Sequence, residues 1–343
     1  EGKEYAPGTA PKELTAGTTL SLGSLTVGAG GLSLAAGGNI SQTAAATVSG
    51  TTSATMNGSG DIDLGSFAND FTGKVSFNKG TGTVQNVSLW NTHSAASISL
   101  PANVNDLTLK LTNSGIALPA TSVGGKLDVN ALGAISQSGA LLVSGTSKLD
   151  ANSNAVTLKT AGNDFAGAVT IANASTVDLA DSSATTGKLT LGSISATGDV
   201  TLENSEGELS LGATTLGGNL KVTTSKGDIT QSAAVNVASG TTLLNAGSHA
   251  ITLAETANRF AGGVAIPAAG AVTVTDSGAL VFNGVSAGTL TATSGGNISQ
   301  TDAINVTGDT ALNISTGTAN IQLASFANNF GGNDRSVEHF RIA

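Results

Sequence analysis

The heptapeptide Gly-Gly-Asn-Ile-Ser-Gln-Thr occupies residues 37–43, and the chain returns to it three more times. It reappears as Gly-Ala-Ile-Ser-Gln-Ser at residues 133–138, as Gly-Asp-Ile-Thr-Gln-Ser at 227–232, and unchanged at 295–301. The four glutamines are Gln42, Gln137, Gln231 and Gln300. The first two intervals between them are about 95 residues and the third is about 70, and recurrence of one motif at such long intervals indicates a repeat protein.

A second motif, Asn-x-Phe, recurs with the same spacing. Its asparagines are Asn69, Asn163, Asn258 and Asn328, and its phenylalanines are Phe71, Phe165, Phe260 and Phe330. Each phenylalanine follows its glutamine by about 29 residues, so the whole segment between the two motifs is duplicated, as it is in tandem-repeat proteins.

Short runs of alternating apolar and polar residues, bounded by Gly, Asn or Ser, follow both motifs and predict β-strands. Helical spacing and the usual helix formers are scarce. Apolar residues that we expect to face inward lie six and twelve residues after each glutamine. They are Val48, Val143, Val237 and Val306 at the first position, and Ala54, Leu149, Leu243 and Leu312 at the second.

Apolar strand positions recur about every 20 to 23 residues, which we interpret as one coil of a β-solenoid. The sequence therefore predicts an all-β fold, a parallel β-helix (β-solenoid) of about 16 coils with a super-repeat of ~94 residues, or four to five coils. The third glutamine interval is about 25 residues short, which indicates the loss of one coil. If successive glutamines stack on one face, four coils separate them by about 19 Å.

Composition divides the chain into three segments. Residues 1–14 carry charges and two prolines and are predicted to be a linker or cap. Residues 15–332 form the predicted solenoid. Residues 333–343 are again charged and are predicted to be a tail, a cap or a boundary to another segment.

The overall charge and hydropathy exclude several classes of partner. A net charge of −9, with 14 scattered basic residues, argues against nucleic acid, whose phosphates need a positive surface. No apolar run reaches the ~18 residues of a membrane-spanning helix. Residues 1–20 lack the apolar region of a signal peptide, so we expect export to use a segment outside this sequence, or the chain to be an interior piece of a larger product.

We predict that the recurring glutamines, asparagines and phenylalanines have structural roles. We expect the glutamines to hydrogen-bond neighbouring backbone at corners rather than to form a row of ligand sites. The phenylalanines are expected to fill the interior rather than to serve as glycan platforms, and the asparagines to shape turns through local hydrogen bonds.

Few residues of this sequence are spaced like the residues of a catalytic site. The sequence therefore predicts no enzyme activity, no metal site and no cofactor. The histidines His93, His249 and His339 share no metal-ligand spacing. The acidic residues Asp61, Asp63, Glu203, Glu206 and Glu208 resemble the carboxylates of a glycosidase only in residue type, and we interpret them as solvated turn residues.

One region, Asn78 to Asn105, departs from the repeat pattern and contains the only tryptophan, Trp90, with His93 close by. Departures from a repeat often mark a binding face. Trp90 and His93 are therefore the candidate ligand-binding residues, with a sugar stacked on Trp90 as the hypothesis. The alternative, which we favour, is an indole that fills the core of an irregular coil.

The strings Gly-Asp-Ile-Thr-Gln-Ser, Gly-Thr-Thr-Leu-Leu-Asn-Ala-Gly and Ala-Gly-Asn-Asp-Phe-Ala-Gly-Ala-Val-Thr-Ile resemble the repeat region of filamentous-haemagglutinin-like exoproteins. The resemblance covers about residues 15–332. It implies a right-handed β-helix, two-partner secretion through an outer-membrane partner, and display at the bacterial cell surface. It also implies adhesion to cells, to glycans or to an exopolysaccharide matrix, and it assigns no binding residue.

We therefore expect a structural and adhesive segment of a large secreted bacterial adhesin, acting as a rigid stalk. Three alternatives remain open: a polysaccharide-cleaving β-helix enzyme, an ice- or surface-binding solenoid, and a self-assembling filament subunit. The ice-binding alternative needs threonines once per coil on one face, whereas those of this chain are scattered along the sequence.

Overall fold

A computed structural model describes residues 3–4, 11–94, 97–183, 185, 187–332 and 334–337. Every helix or strand in these residues is a β-strand. The contacts within the chain divide it into two compact units, residues 1–167 and residues 168–343.

The described residues of the first unit contain 21 strands. They are β1 (Lys3–Glu4), β2 (Lys12–Ala16), β3 (Leu20–Leu22), β4 (Leu25–Val27), β5 (Leu32–Ala36), β6 (Ile40–Gln42), β7 (Ala46–Val48), β8 (Thr52–Met56), β9 (Ser59–Phe71), β10 (Val75–Lys79), β11 (Thr83–Asn91), β12 (Ile98–Ser99), β13 (Asn103–Val104), β14 (Leu107–Leu111), β15 (Ile116–Leu118), β16 (Thr121–Val123), β17 (Leu127–Ala131), β18 (Ile135–Gln137), β19 (Leu141–Val143), β20 (Ser147–Leu158) and β21 (Asp164–Phe165).

The second unit contains the remaining 18 strands of the described residues. They are β22 (Val169–Asp181), β23 (Lys188–Ala196), β24 (Val200–Asn204), β25 (Glu208–Leu211), β26 (Ala213–Leu216), β27 (Leu220–Thr224), β28 (Ile229–Gln231), β29 (Val235–Val237), β30 (Thr242–Asn245), β31 (Ile251–Leu253), β32 (Arg259–Phe260), β33 (Val264–Asp276), β34 (Leu280–Ser294), β35 (Ile298–Val306), β36 (Thr310–Ile314), β37 (Ile321–Gln322), β38 (Asn329–Phe330) and β39 (Asp334–Val337).

Strands pair in parallel with the strand about one turn later, as Leu107 pairs with Leu127 in the first unit and Val200 with Leu220 in the second. A regular turn has three strands, as β17, β18 and β19 show before β20 begins the next turn. Each unit is an all-β parallel β-solenoid, and the described residues comprise about 16 turns. This confirms the fold predicted from the sequence.

Alternation along each strand separates the core from the surface. In β17, the side chains of Leu127, Val129 and Ala131 are buried, whereas Asp128 and Asn130 lie on the outward face. Parallel register stacks the inward residues of successive turns, so each turn buries its aliphatic side chains against the turns on either side.

Within each unit, the repeat motif advances by one face from one repeat to the next. In the first unit, the strand that begins at Ile40 is followed, turn by turn, by strands aligned at Ile62, Val87, Leu107 and Leu127. The next glutamine motif begins at Ile135, on the following strand of that turn. The first interval is therefore four turns plus one strand, and successive glutamines of this unit do not stack on one face as we had assumed.

The second unit shows the same advance over a shorter interval. Ile229 aligns with Ile251, Val272 and Leu290 on three successive turns, and the next motif begins at Ile298, one strand later. This interval is three turns plus one strand. It lacks one complete turn relative to the first interval, as the sequence spacing predicts.

One predicted inward position is wrong. Leu243 lies on the outward side of β30, and its neighbours Thr242 and Leu244 face inward, with Leu244 fully buried. The reason is a longer turn, because five residues lead from Val237 to Thr242 whereas four lead from Val48 to Thr52. One extra residue reverses the face on which every later side chain of the strand lies.

The two charged end segments are described in part. The strand β1 pairs with β4, and β2, which begins inside the predicted lead, pairs with β5. The strand β39 pairs with β36 in the predicted tail. His339 lies outside the described residues, as do most other residues of the tail.

The register predicts which deletion the solenoid tolerates. Val272 follows Val264 by eight positions, because in the shorter interval the chain passes directly from one face to the next. The path from Val75 to Leu107 contains an additional turn. Deletion of residues 79–102 restores a spacing of eight between Val75 and Leu107 and aligns Leu107 with Ile62. We expect this variant to fold, with a cooperative thermal transition measured by circular dichroism.

Deletion of residues 79–90 is the control, because it removes about half a turn and shifts the register of the strands that follow. We expect this second variant to aggregate or to lose its cooperative transition. Equal stability of the two variants would show that whole turns are not the unit of the fold.

Candidate functional site

The glutamine and asparagine of the two motifs bond to each other across one turn. In the first repeat, Gln42 Nε2 donates to Asn69 Oδ1 (2.7 Å) and Asn69 Nδ2 donates to Gln42 Oε1 (3.0 Å). The same two bonds, of 2.8 to 3.0 Å, join Gln137 to Asn163, Gln231 to Asn258, and Gln300 to Asn328. We call each of these an amide pair.

Each asparagine of an amide pair also bonds to two backbone segments. Asn258 Oδ1 accepts a hydrogen bond from the Val235 N–H at 2.9 Å, and Asn258 Nδ2 donates to the Leu253 carbonyl at 3.1 Å. Corresponding bonds recur at Asn69, Asn163 and Asn328. Three of these asparagines are fully buried and Asn328 is half-buried, and each fills its hydrogen-bonding capacity and fixes one turn to the preceding one.

The predicted role of the glutamines was incomplete. Gln137 Nε2 does bond to neighbouring backbone, at the Gly139 carbonyl (2.7 Å), and Gln231 and Gln300 do the same two residues further on. The partner that we missed is the asparagine. The signal was present, because each asparagine follows its glutamine at a nearly constant distance along the chain, slightly more than one turn.

The motif phenylalanines lie inside the solenoid in the first three repeats. Phe71, Phe165 and Phe260 are fully buried, and Phe330 is partly exposed. These three rings cannot present a stacking surface to a glycan.

A buried hydroxyl recurs ten or eleven residues after each glutamine, and sequence reasoning missed it. These residues are Thr52, Ser147, Thr242 and Thr310, and in each the buried oxygen has no hydrogen-bond partner. Their signal in the sequence is a Ser or Thr at the first inward position of a strand that otherwise carries aliphatic residues. Because an unpaired buried hydroxyl costs free energy, this position is a recurrent weak point of the repeat.

Two buried polar side chains, Asn91 and Asp276, hold the backbone of a motif phenylalanine in the preceding turn. Asn91 Oδ1 accepts a hydrogen bond from the Phe71 N–H (2.9 Å), and Asn91 Nδ2 donates to the Phe71 carbonyl (3.1 Å). Asp276 accepts one from the Phe260 N–H at 3.2 Å.

Burial raises the pKa of the Asp276 carboxyl above its ordinary value of 3.8. Hydrogen bonds from the Gly278 and Phe260 N–H groups oppose the rise, as does the Arg259 guanidinium, which lies 3.8 Å from Asp276 Oδ1. The hydrogen bonds and the Arg259 guanidinium therefore do not fully offset the cost of burying the ionised Asp276 carboxylate.

The candidate Trp90 lies on the outward side of β11, between the buried residues Leu89 and Asn91. The favoured core-filling interpretation is therefore wrong, because side chains alternate along the strand and Leu89 faces the core. The Lys110 ammonium lies 3.5 Å from the centroid of the Trp90 ring, and Trp90 Nε1 is buried without a hydrogen-bond partner. One face of the indole is thus covered by a cation.

The candidate His93 bonds to a different residue, Asp70, with 3.0 Å between His93 Nδ1 and Asp70 Oδ1. The two candidates meet the preceding turn at adjacent positions, since Asn69 Nδ2 donates to the Trp90 carbonyl at 3.2 Å. The Trp90 backbone and the His93 side chain thus both contact the corner of an amide pair, whereas the indole itself contacts Lys110.

The acidic residues weighed from the sequence make structural contacts. Asp63 accepts hydrogen bonds from the Gly65 N–H and the Ser66 hydroxyl. Glu206 pairs with Lys226 at 2.6 Å, and Glu208 pairs with Lys188 at 3.1 Å. Each of these three carboxylates thus has a hydrogen-bonding or charged partner within the repeats.

Threonines that look scattered in the sequence align in the second unit. Thr252, Thr273 and Thr291 form one outward column, and Thr275 pairs with Thr293 in the neighbouring column. The first column ends at Ala311. Thr230 precedes Thr252 in the same column, because Ile229 pairs with Ile251, and Ser210 and Thr190 lie on the two turns before it. The array is therefore an ordered column of threonine and serine residues over six turns.

Within the described residues, no cluster of three or more His, Cys, Asp or Glu side chains is arranged to hold a metal ion. The same residues contain no helix with the length and apolar character that a membrane crossing requires.

The repeats match a known family model. A family described as repeats of unknown function (DUF5649) matches residues 10–78, 104–172, 197–266 and 269–335. No curated protein matches the chain, and no solved structure does.

The four matches define the repeat more closely. The unmatched segments 79–103 and 173–196 separate the first three matches, whereas only residues 267 and 268 separate the last two. Each longer segment has about the length of one turn. The region that departs from the pattern around Trp90 is therefore an inserted turn, and a second insertion occupies the corresponding place in the next repeat.

The amide pairs make a clear prediction for stability. Asn258→Ala removes four hydrogen bonds and leaves buried partners on Gln231, Val235 and Leu253 unsatisfied. We expect a loss of about 3 kcal/mol or more in unfolding free energy, measured by chemical denaturation. Asn236→Ala, at an exposed position of the same repeat, is the matched control and should change stability by less than about 0.5 kcal/mol. Similar losses in both variants would contradict the structural role.

The raised pKa of Asp276 predicts a pH-dependent stability. Below the ordinary pKa the carboxyl is neutral in both the folded and unfolded chain, and its contribution to stability is fully present. As pH rises toward the raised pKa the unfolded chain ionises first, so stability falls and then stays low. Asp276→Asn should abolish this fall and, since Asn91 shows that an amide fits such a position, be at least as stable at neutral pH.

Denaturation of both proteins between about pH 3 and pH 8 measures the effect as the difference between their unfolding free energies. Asp302→Asn, at an exposed carboxylate, is the control. A difference that stays constant over this range would show that Asp276 does not titrate anomalously.

Proposed function

Because the chain belongs to the family of repeats of unknown function (DUF5649), whose description assigns no activity, we propose its function from the geometry of the repeats. It acts as a rigid structural segment of a large secreted bacterial surface adhesin. Its role is to hold attachment surfaces away from the cell, toward other cells, host glycans or receptors, or an exopolysaccharide matrix.

The observation that carries this proposal is that an apolar position shared by all four repeats is buried, whereas the surface position beside it varies. Six residues after the glutamine, all four repeats place a buried valine on the inward face: Val48, Val143, Val237 and Val306. The exposed residue just before each valine varies among three types in the four repeats: Thr47, Leu142, Asn236 and Asn305. Repeats that keep the same buried contacts while a surface position varies are typical of a scaffold. A periodic binding array would repeat its surface residues.

The advance of the motif by one face supports the same role. Within the first unit, Gln137 lies one strand beyond the column that continues from Ile40, and within the second unit Gln300 is displaced likewise from Gln231. A side chain present once per repeat therefore points in a different direction in the next repeat. Such a side chain cannot line up into a continuous ligand row.

Rigidity follows from the hydrogen bonding between turns. Backbone ladders run along the strands of each turn, and an amide pair adds bonds between side chains at one corner in each repeat. Bending a turn away from its neighbour breaks several buried hydrogen bonds together. The resemblance of the repeats to filamentous-haemagglutinin-like exoproteins supports secretion and surface display.

Surface display is tested with antibodies against this chain on intact producing cells. We expect labelling without permeabilisation, and loss of the label after external protease. Label that appears only in permeabilised cells would contradict the proposal.

The scaffold role is tested with two matched sets of four substitutions in the native protein. One set changes the asparagines Asn69, Asn163, Asn258 and Asn328 to Ala, and the other changes the exposed residues Thr47, Leu142, Asn236 and Asn305 to Ala. We expect attachment of cells to a matrix-coated surface to fail in the first set and to persist in the second. Loss of attachment in the second set at normal surface levels would assign adhesion to the surface of the repeats themselves.

A further inference from the structure

A groove of about 370 Å³ lies at the inserted turn of the first unit, outside the motifs shared by the repeats, and most of its lining residues belong to that turn. Its walls come from Phe77–Lys79, from Thr83 and Val84, and from Ser99–Asn103 of the following turn. The proposed scaffold role makes no use of this groove.

The groove exists because two successive turns differ in length. Val75 and Val87 pair with Ile98 and Leu107 of the next turn, and the path from Ile98 to Leu107 is shorter than the path from Val75 to Val87 by three residues. The later turn thus follows a shorter path between the two faces. Three extended residues span about 10 Å, and the earlier turn is left without a paired neighbour over that length.

Pro101 ends the hydrogen-bond ladder at this place. The Val75 N–H donates to the Ser97 carbonyl, and the two strands pair at Val75 and Ser76. Continuing the same register would place residue 101 opposite the Phe77 carbonyl, but proline has no N–H to donate. No residue of the following turn, within the described part of the chain, donates to the Phe77 carbonyl or accepts from the Lys79 N–H.

The lining combines an open strand edge with one positive charge. Asn78, Ser99 and Asn103 contribute neutral polar groups, and Leu100 contributes apolar surface. Lys79 is the single titratable side chain among the lining residues and is exposed. An extended peptide presents alternating N–H and C=O groups that such an edge pairs with, and the lysine favours an acidic side chain.

We propose that this groove binds a short extended peptide segment that carries an acidic residue. The segment supplies the three residues that the following turn lacks: its backbone pairs with the Phe77 carbonyl and the Lys79 N–H, and its carboxylate lies near the Lys79 ammonium. The partner is a protein chain with an accessible extended stretch, and binding does not depend on the scaffold role.

The probe is the peptide Thr-Val-Asp-Val-Thr, acetylated and amidated, added to the full chain labelled with ¹⁵N. Its matched control is Thr-Val-Asn-Val-Thr. We expect saturable shifts of the backbone amides of residues 77–79, 99, 100, 102 and 103, with the aspartate peptide binding about five-fold more tightly.

Two variants distinguish this proposal from a weak surface charge. Lys79→Gln should abolish the preference for the aspartate peptide, whereas Lys126→Gln, at a lysine outside the groove, should not. Pro101→Ala returns a donor opposite the Phe77 carbonyl and should weaken both peptides. The proposal is overturned if neither peptide binds below about 5 mM, if Pro101→Ala changes neither affinity, or if glucuronic acid disaccharides bind the groove and the peptides do not.

Discussion

A buried side-chain amide is stable only when its donors and its acceptor are all paired, and in this solenoid two such amides pair with each other. Asn258 receives and donates a hydrogen bond with Gln231, and it also closes bonds to the backbone at Val235 and Leu253. Because the partners belong to successive turns, neither amide is satisfied until both turns are in register. The two amides can thus be buried without loss of hydrogen bonds only when the turns stack in the correct register.

This constraint explains how the chain changes length without losing its fold. The glutamine motif recurs after four turns plus one strand in one interval and after three turns plus one strand in another. In both cases the asparagine that pairs with the glutamine lies slightly more than one turn further along the chain. Whole turns can therefore be inserted or lost between amide pairs, as the unmatched segments 79–103 and 173–196 show. Where an inserted turn meets the regular ones imperfectly, as at Pro101, a groove opens on an otherwise regular surface.

Much of the fold could be predicted from the sequence, because period-2 alternation and recurrence of the motifs report directly on strands and turns. The pairing of Gln42 with Asn69 could not, since composition and spacing do not show that two polar residues face the same buried corner. Nor could the direction of Leu243, which depends on one extra turn residue, or the outward position of Trp90, which depends on the register of an inserted turn. These failures share a cause: register is decided by contacts between turns, which local patterns do not contain.

Hydrogen exchange of the side-chain amides tests the central claim most directly. The NH₂ groups of Asn69, Asn163 and Asn258 should exchange at least about a thousand-fold more slowly than that of exposed Asn236, because their release requires the turns to separate. Both can be followed in one nuclear magnetic resonance experiment on the same sample. Exchange of the three asparagines at the rate of Asn236, in a folded protein, would mean that the amide pairs open freely and do not hold the turns together.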